Sequence, residues 1–527
     1  MSKIEELESL LTGGKITRRD FITRVSALGL LAAASPALLS TPAKAATPKK
    51  GGRFRMGLSG ASTTDSLDPA TLEDIFPQTL NTQIRNRLVE IDHKSNPIPE
   101  LSESWESTPD AVTWTFKLRQ GVEFHNGKTL DAEDVIASFN HHRGKDSKSA
   151  AKGLVDPIKE IKADGKNTVV FTLESGSADF PFIVSDYHLT IQPAGTKDLE
   201  KGIGTGAYVL ESFEPGVRAL TKRNPNYFKQ GRAHFAEIES IGINDVNART
   251  NALKTGQVDA MNRCERKTVH LLEKMPGIKV IQSFGTKHYT VPMLTTAKPY
   301  YYNNARLALK YAVDREALVK TVLRGYGYAG NDHPIGRNQR FFDSETPTRQ
   351  YDPDKAKFYL KAAGLEGYTF KLHTSDAAFG GAVDAAVLYK EHAAKAGIKI
   401  DVVKEPADGY WKVVWMQKPW AFCFWSGRVT EDWMFTTAYA EDAGWNDTYW
   451  NHTGFNKLLK EARAELDNSK RREMYVEMQR IVRDDGATVV PMFAADLTGV
   501  SKKLAYENVA ADWEMDGMRA PERWWFA

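Results

Sequence analysis

Cysteine is nearly absent: Cys264 and Cys423 are the only two among 527 residues. They form no CxxC pair and no metal-ligand spacing, so a disulfide framework and a zinc site are excluded, and two buried thiols are the plainer expectation. Whether the two meet in a single bridge stays open. GxSxG, HExxH and GxxxxGK[ST] are missing as well, and with them the usual signatures of serine hydrolases, zinc proteases and nucleotide triphosphatases. No charge dominates. Lys and Arg number 70 against 67 Asp and Glu, a net charge of +3, and the signs are interspersed, so no basic stripe offers itself to nucleic acid. The apolar run Val25 to Leu39 contains Pro36 and is too short for a stable membrane span.

What remains is an ordinary soluble composition in a chain too long for one core, so two or three domains are expected. The N-terminus reads as an export signal over residues 1–45. Thr17-Arg18-Arg19-Asp20-Phe21-Ile22 supplies the charged region, Val25 to Leu39 the apolar one and Ala43-Lys44-Ala45 the cleavage site. The paired arginines before Phe21 resemble a twin-arginine address. The mature protein is therefore expected outside the cytoplasm, in the periplasm, and not spanning the membrane.

Strands and helices alternate along the mature chain. Thr113 to Leu118 alternates as a half-buried strand, and Asp131 caps a helix with Asp134 placed to return the bond. A helix is expected over Thr79 to Val89, and Asn96-Pro97-Ile98-Pro99 is expected to break the chain. Gly202-Ile203-Gly204-Thr205-Gly206 resembles a phosphate loop, but a strand, Tyr208-Val209-Leu210, follows it instead of a helix, so it reads as a crossing. Past Gly285 longer helices open at Asn304, Asp314 and Asp352-Pro353 and close at Gly325, Gly364 and Gly397. Val489 to Phe493 reads as a strand returning to an earlier domain.

Tryptophan is concentrated. Seven of twelve lie between Trp411 and Trp450, and Trp420-Ala-Phe-Cys-Phe-Trp425 reads as a buried strand ending at Ser426-Gly427-Arg428. A strand that delivers an arginine among aromatics suits a cleft for a small anion. The plainer reading is a tryptophan-rich core with Arg428 at its edge. His141-His142 diverge on a helix and read as a solvated helix end, and Glu431-Asp432 read as a solvated turn without a nucleophile. The residues give no argument for catalysis, a metal or a cofactor.

Pro99-Glu100-Leu101-Ser102-Glu103-Ser104-Trp105, Thr113 to Gly127 and Leu130 to Val135 resemble the signature segment of the extracellular solute-binding proteins of family 5. Gly204 to Tyr208, Arg223 to Tyr227, Gly256 to Ala260 and Asn304 to Arg315 are similar to further landmarks, in the family's order. These proteins serve ABC importers for peptides, nickel and opines. The resemblance implies an α/β, two-lobed periplasmic binding protein of class II, cluster C, with an extra domain beside lobe I. Lobe I would comprise 46–88, 203–285 and 490–527, the extra domain 89–202, and lobe II 286–489. The chain would cross between lobes near Phe284-Gly285-Thr286 and Val490-Pro491-Met492, and ligand would bind between lobes that close by hinge bending.

In peptide-binding members an aspartate after the tryptophan strand takes the ligand's amine. Trp425-Ser426-Gly427 matches that approach, but Arg428 follows. A guanidinium cannot accept a bond from an ammonium and repels it; it suits a carboxylate, sulfonate or phosphate. Trp411, Trp425 and Trp433 are expected to wall the site, and Asp432 to take an amine or orient Arg428. From lobe I the resemblance suggests Ser62, Thr63, Thr64, Asn262, Arg263 and Cys264, with Arg263 facing Arg428 and favouring a dicarboxylic ligand. The expected protein is a monomer that hands a small molecule or short peptide to the transmembrane subunits of an ABC permease. The alternatives are a secreted hydrolase using Glu431 or Asp432 and a sensory binding protein docking a receptor.

Overall fold

The computed structural model describes residues 48–72, 74–406 and 410–527. The expected export signal, including Arg18, Arg19 and Ala45, lies outside them. Among the described residues no helix is long and apolar enough to cross a membrane.

Three main sheets organise the chain. The first has seven strands in the order Ile278–Ser283, Asp496–Ser501, Ala260–Met261, Arg53–Leu58, Glu237–Gly242, Arg218–Arg223 and Tyr208–Glu214. Arg53–Leu58 runs parallel to both its neighbours. The second is an antiparallel meander of Ser102–Ser107, Thr113–Leu118, Thr168–Leu173 and Ile158–Ala163. Alternation turns Trp114, Phe116 and Leu118 inward. There Phe116, Phe139, Phe171 and Phe180 pack edge to face under the helix Ala132–His142. That helix begins with the reciprocal box: Asp131 accepts from the Asp134 backbone, and Asp134 accepts from that of Asp131.

The third sheet orders Gly327–Ala329, Thr488–Ala494, His288–Pro292 and Cys423–Trp425, all antiparallel. Its core includes Trp420, fully buried against Tyr300, Phe370 and Tyr389. Thr488–Ala494 thus stays with this sheet and does not return to the first. The strand that returns is the next one, Asp496–Ser501, so the second crossing falls at Ala495. The two crossings are bonded to each other. The Ala494 N–H donates to the Lys287 carbonyl, and Lys287 pairs with Asp496.

Four local expectations change. The helix expected over Thr79 to Val89 is Ile75–Ile84, because Asp74 caps it earlier and the chain turns extended at Arg85. Pro97–Pro99 does not simply break the chain; it pairs with Val89–Ile91 as a short edge ladder. Gly204 and Gly206 serve close packing rather than backbone freedom, since a Cβ on Gly206 would stand 2.3 Å from the Gln83 carbonyl. His141 and His142 close their helix as expected, but only His141 is exposed, where it bonds Asp68; His142 is buried on the Ser149 hydroxyl.

Candidate functional site

Cys423–Trp425 pairs with His288–Pro292 so that Trp425 lies opposite His288 and Phe424 opposite Tyr289. A period of two buries Cys423 and Trp425 and leaves Phe424 and Ser426 exposed. The strand stops at Gly427, whose φ is +81. A Cβ there would stand 2.0 Å from the Thr286 hydroxyl, at the first crossing. Glycine therefore lets the strand end close against the segment that joins the two sheets. Thr430 then caps the helix Glu431–Ala438.

Arg428 lies between these elements, half-buried. Its Nη1 donates to the Gly427 carbonyl at 2.7 Å, and its guanidinium lies over the Trp433 ring at 5.7 Å. Gln339 holds its backbone carbonyl. Among the described residues it makes no ion pair. Burial lowers its pKa, and Tyr187 and Asp186 offset part of that. Asp186 is itself bonded to His188 at 2.7 Å, and Tyr187 meets Trp513 edge to face. A desolvated guanidinium without a carboxylate partner keeps donors that could serve an anion.

A cavity of about 780 Å³ opens between the first and third sheets; Phe424 of this strand lines it, and Arg428 does not. Arg263, Cys264, Asp496 and Leu497 line one wall; Phe424, Tyr289 and Phe379 line the other, the last two stacked at 3.8 Å. Lys287 and Asp496 close one end through their ion pair.

The expected site residues divide. Trp425, Ser426, Gly427 and Arg428 follow one another at the strand end and Trp433 lies under the Arg428 guanidinium, but none of the five lines the cavity. Trp411 joins through Phe424, with ring centres 5.6 Å apart. Asp432 does not join: it is bound by the Arg463 guanidinium at 3.1 Å and neither takes an amine nor orients Arg428. Glu431 is buried and accepts the Phe341 N–H, so the pair is the first turn of a helix and no solvated turn. Burial raises the pKa of both carboxyls.

On the opposite wall Arg263 is held by two carboxylates, Glu514 at 2.8 Å and Asp74 at 2.7 Å. Burial works against its charge and these two partners restore it. Already neutralised, it does not serve as the second anion-binding arginine. Asn262 is fully buried and spends its amide on Ser59 and Glu514. Cys264 lines the cavity as a buried thiol whose pKa burial pushes up to about 12, and both cysteines are free. Thr63 and Thr64 do not line the cavity. Their loop is exposed, tied by Ser62 to Asp65 and packed on Gly216.

Asp447 is a buried acid that the sequence reading did not single out. It is buried within the tryptophan stretch and accepts the Trp415 indole N–H at 3.2 Å; Trp425 bonds the same carboxyl. An acid inside a run of seven tryptophans was the available signal. Thr430 before two acidic residues signals the missed helix in the same way. Among the described residues no group of three or more His, Cys, Asp or Glu is placed to hold a metal.

Comparison with known proteins adds an independent line. The family model of the bacterial extracellular solute-binding proteins, family 5 Middle, matches residues 96–447. The dipeptide-binding protein of Escherichia coli (strain K12) is 28% identical over 530 residues, covering 86% of this chain and 96% of that protein. The glutathione-binding protein GsiB of Pectobacterium atrosepticum is 26% identical, covering 86% of this chain and 91% of its own. Among solved structures, HbpA2 from Haemophilus parasuis superposes with a TM-score of 0.81 at 21% identity, covering 90% of this chain and 100% of that one, which is a likeness of fold.

Proposed function

The chain belongs to the bacterial extracellular solute-binding proteins of family 5, substrate-binding components of ABC importers, and from that premise we propose that it captures an amino-acid-derived solute through an anionic group docked on Arg428. The solute is a short peptide, an opine or a related acid. It sits between the two sheets against Phe424 and Trp433 and is delivered to the transmembrane subunits of the permease. The work is done outside the cytoplasm by a monomer. Family members bind rather than transform their ligands.

The observation that carries the reading is the Arg428 guanidinium over Trp433, without an ion pair among the described residues, while Arg263 on the opposite wall is already neutralised. The relatives' names support the solute class: a dipeptide and glutathione both bear carboxylates beside amino-acid backbones. A hydrolase built on Glu431 and Asp432 loses its footing, because both carboxyls are buried in structural bonds.

A thermal-shift screen of dipeptides, glutathione, opines and organic acids identifies the ligand. At a hundredfold excess over Kd the folded state gains about 2.7 kcal/mol. Calorimetry with the best ligand then compares wild type with Arg428→Ala. Loss of a charge-assisted bond to a buried group weakens binding about 30-fold or more. Unchanged affinity overturns the assignment of Arg428.

A further inference from the structure

Replacing the family's amine-binding acid by Arg428 leaves an amino-acid-derived solute with no partner for its positive end at that position. Asp432 is taken by Arg463, and Asp74 and Glu514 by Arg263. Glu265, Asp376 and Asp384 on the cavity wall make no ion pair among the described residues, but none of them is buried as Asp447 is. Asp447 is buried, and no lysine, arginine or histidine stands within ion-pair distance of it among the described residues. The groups around it are the Cys423 thiol, the Tyr439 phenol and the indoles of Trp415 and Trp425. Burial pushes its carboxyl up to about 7, against hydrogen bonds from Trp415, Trp425 and Cys423 that favour the charged form.

Between Asp447 and solvent stands a continuous aromatic surface. Trp411, Trp415, Trp425 and Trp445 contact one another with ring centres 5.9–6.4 Å apart. Trp411 continues onto Phe424, which lines the cavity. Trp411 is 40% exposed, Phe424 37% and Trp445 53%, so the exposed aromatic surface continues from the cavity lining at Phe424 beyond it. Trp415 and Trp425 turn their N–H groups inward onto Asp447. What this shelf offers a ligand is therefore ring faces and edges, with a carboxyl behind them. Ring faces attract alkyl, aromatic and cationic groups alike; a cation on them would draw the acid behind into its charged form, and that coupling favours the cation.

We propose that the shelf formed by Trp411, Trp415 and Trp445 and backed by Asp447 is the subsite for the cationic end of the solute, an alkylammonium group. The inference rests on the reading of the cleft as the solute site. With Arg428 it makes the cleft bipolar, anion at the strand end and cation at the tryptophans, and so selects zwitterions.

The test uses ω-trimethylammonio alkanoates of increasing chain length, each beside the carbon isostere in which a tert-butyl group replaces the trimethylammonium. Each pair has the same shape and differs only in charge. Calorimetry on the full mature chain should find one length at which the ammonium compound binds about tenfold tighter than its isostere. That advantage should fall at least threefold in Trp445→Ala and in Asp447→Asn. Trp445 is exposed, so its variant keeps the test valid where the buried Asp447 variant fails to fold. Arg428→Ala should weaken both members of the pair equally. Equal affinities within every pair, an advantage that survives both variants, or no binding at any length overturns the cationic subsite. Isosteres that bind in an Arg428-dependent way without any ammonium advantage sink the subsite alone. An ammonium advantage indifferent to Arg428→Ala sinks the anion site alone.

Discussion

Burial decides the chemistry of individual side chains here. His142, His288 and His333 are enclosed, and each pKa is lowered by that burial to about 4 from 6.5. Between those values the unfolded chain binds the proton and the folded chain does not. Their contribution is complete above pH 6.5 and is lost as pH falls through 6.5 toward 4, at about 1.4 kcal/mol per pH unit for each group. Urea unfolding from pH 7 to 5 should show a falling midpoint, and His333→Gln should remove about 1.4 kcal/mol per pH unit of the slope. Equal slopes for variant and wild type would count against the buried neutral form. At this scale the sequence was legible where a side chain's chemistry is its own. Arg428 as the exception to an acidic position could be read directly. The fate of Arg263 could not, because Asp74 and Glu514 lie 189 and 251 residues away in sequence.

Elements were legible where local chemistry punctuates them. Asp131, Asp314 and Asp352 each cap the helix expected of them. The alternation of Thr113 to Leu118 gives its buried face. The helix Glu431–Ala438 was missed because its apolar residues make no clean stripe, and because the acidic pair that opens it resembles a turn. The end of the Cys423–Trp425 strand shows how narrow an element's tolerance becomes near the site. Gly427→Ala would add a Cβ at φ +81 and within 2.6 Å of the Thr286 Cβ and carbonyl carbon. It should cost more than about 2 kcal/mol of stability, or else shift Arg428 and weaken ligand binding. A denaturation curve and a Kd both equal to wild type would refute the packing role.

Across the whole molecule, a second contact ties the meander side to the third-sheet side. Asp179, just beyond the meander, pairs with Arg471 at 2.9 Å and Arg340 at 3.4 Å, and the Ala178 N–H donates to the Arg463 carbonyl. Arg471 is buried. Arg471→Met leaves Asp179 desolvated with only its longer partner, so this arrangement should lose about 3 kcal/mol. The ligand Kd should rise, and small-angle scattering should give a larger radius of gyration without ligand. An unchanged radius and Kd would show that the pair does not hold the two sides together. This contact, like the Arg263 clamp, joins residues far apart in the chain and left no local mark in the sequence.

The paired crossings carry a consequence for how the molecule finds its bound shape. Phe284 to Lys287 and Ala494 to Asp496 run side by side and are bonded to each other, so neither swivels alone. Two parallel connections leave one soft rotation between the sheets and suppress twist and translation. The search for the ligand-bound arrangement is then one-dimensional. Closure on a solute is expected to bring Arg428 and the opposite wall together along one arc, so that the geometry at the site is set before the solute arrives.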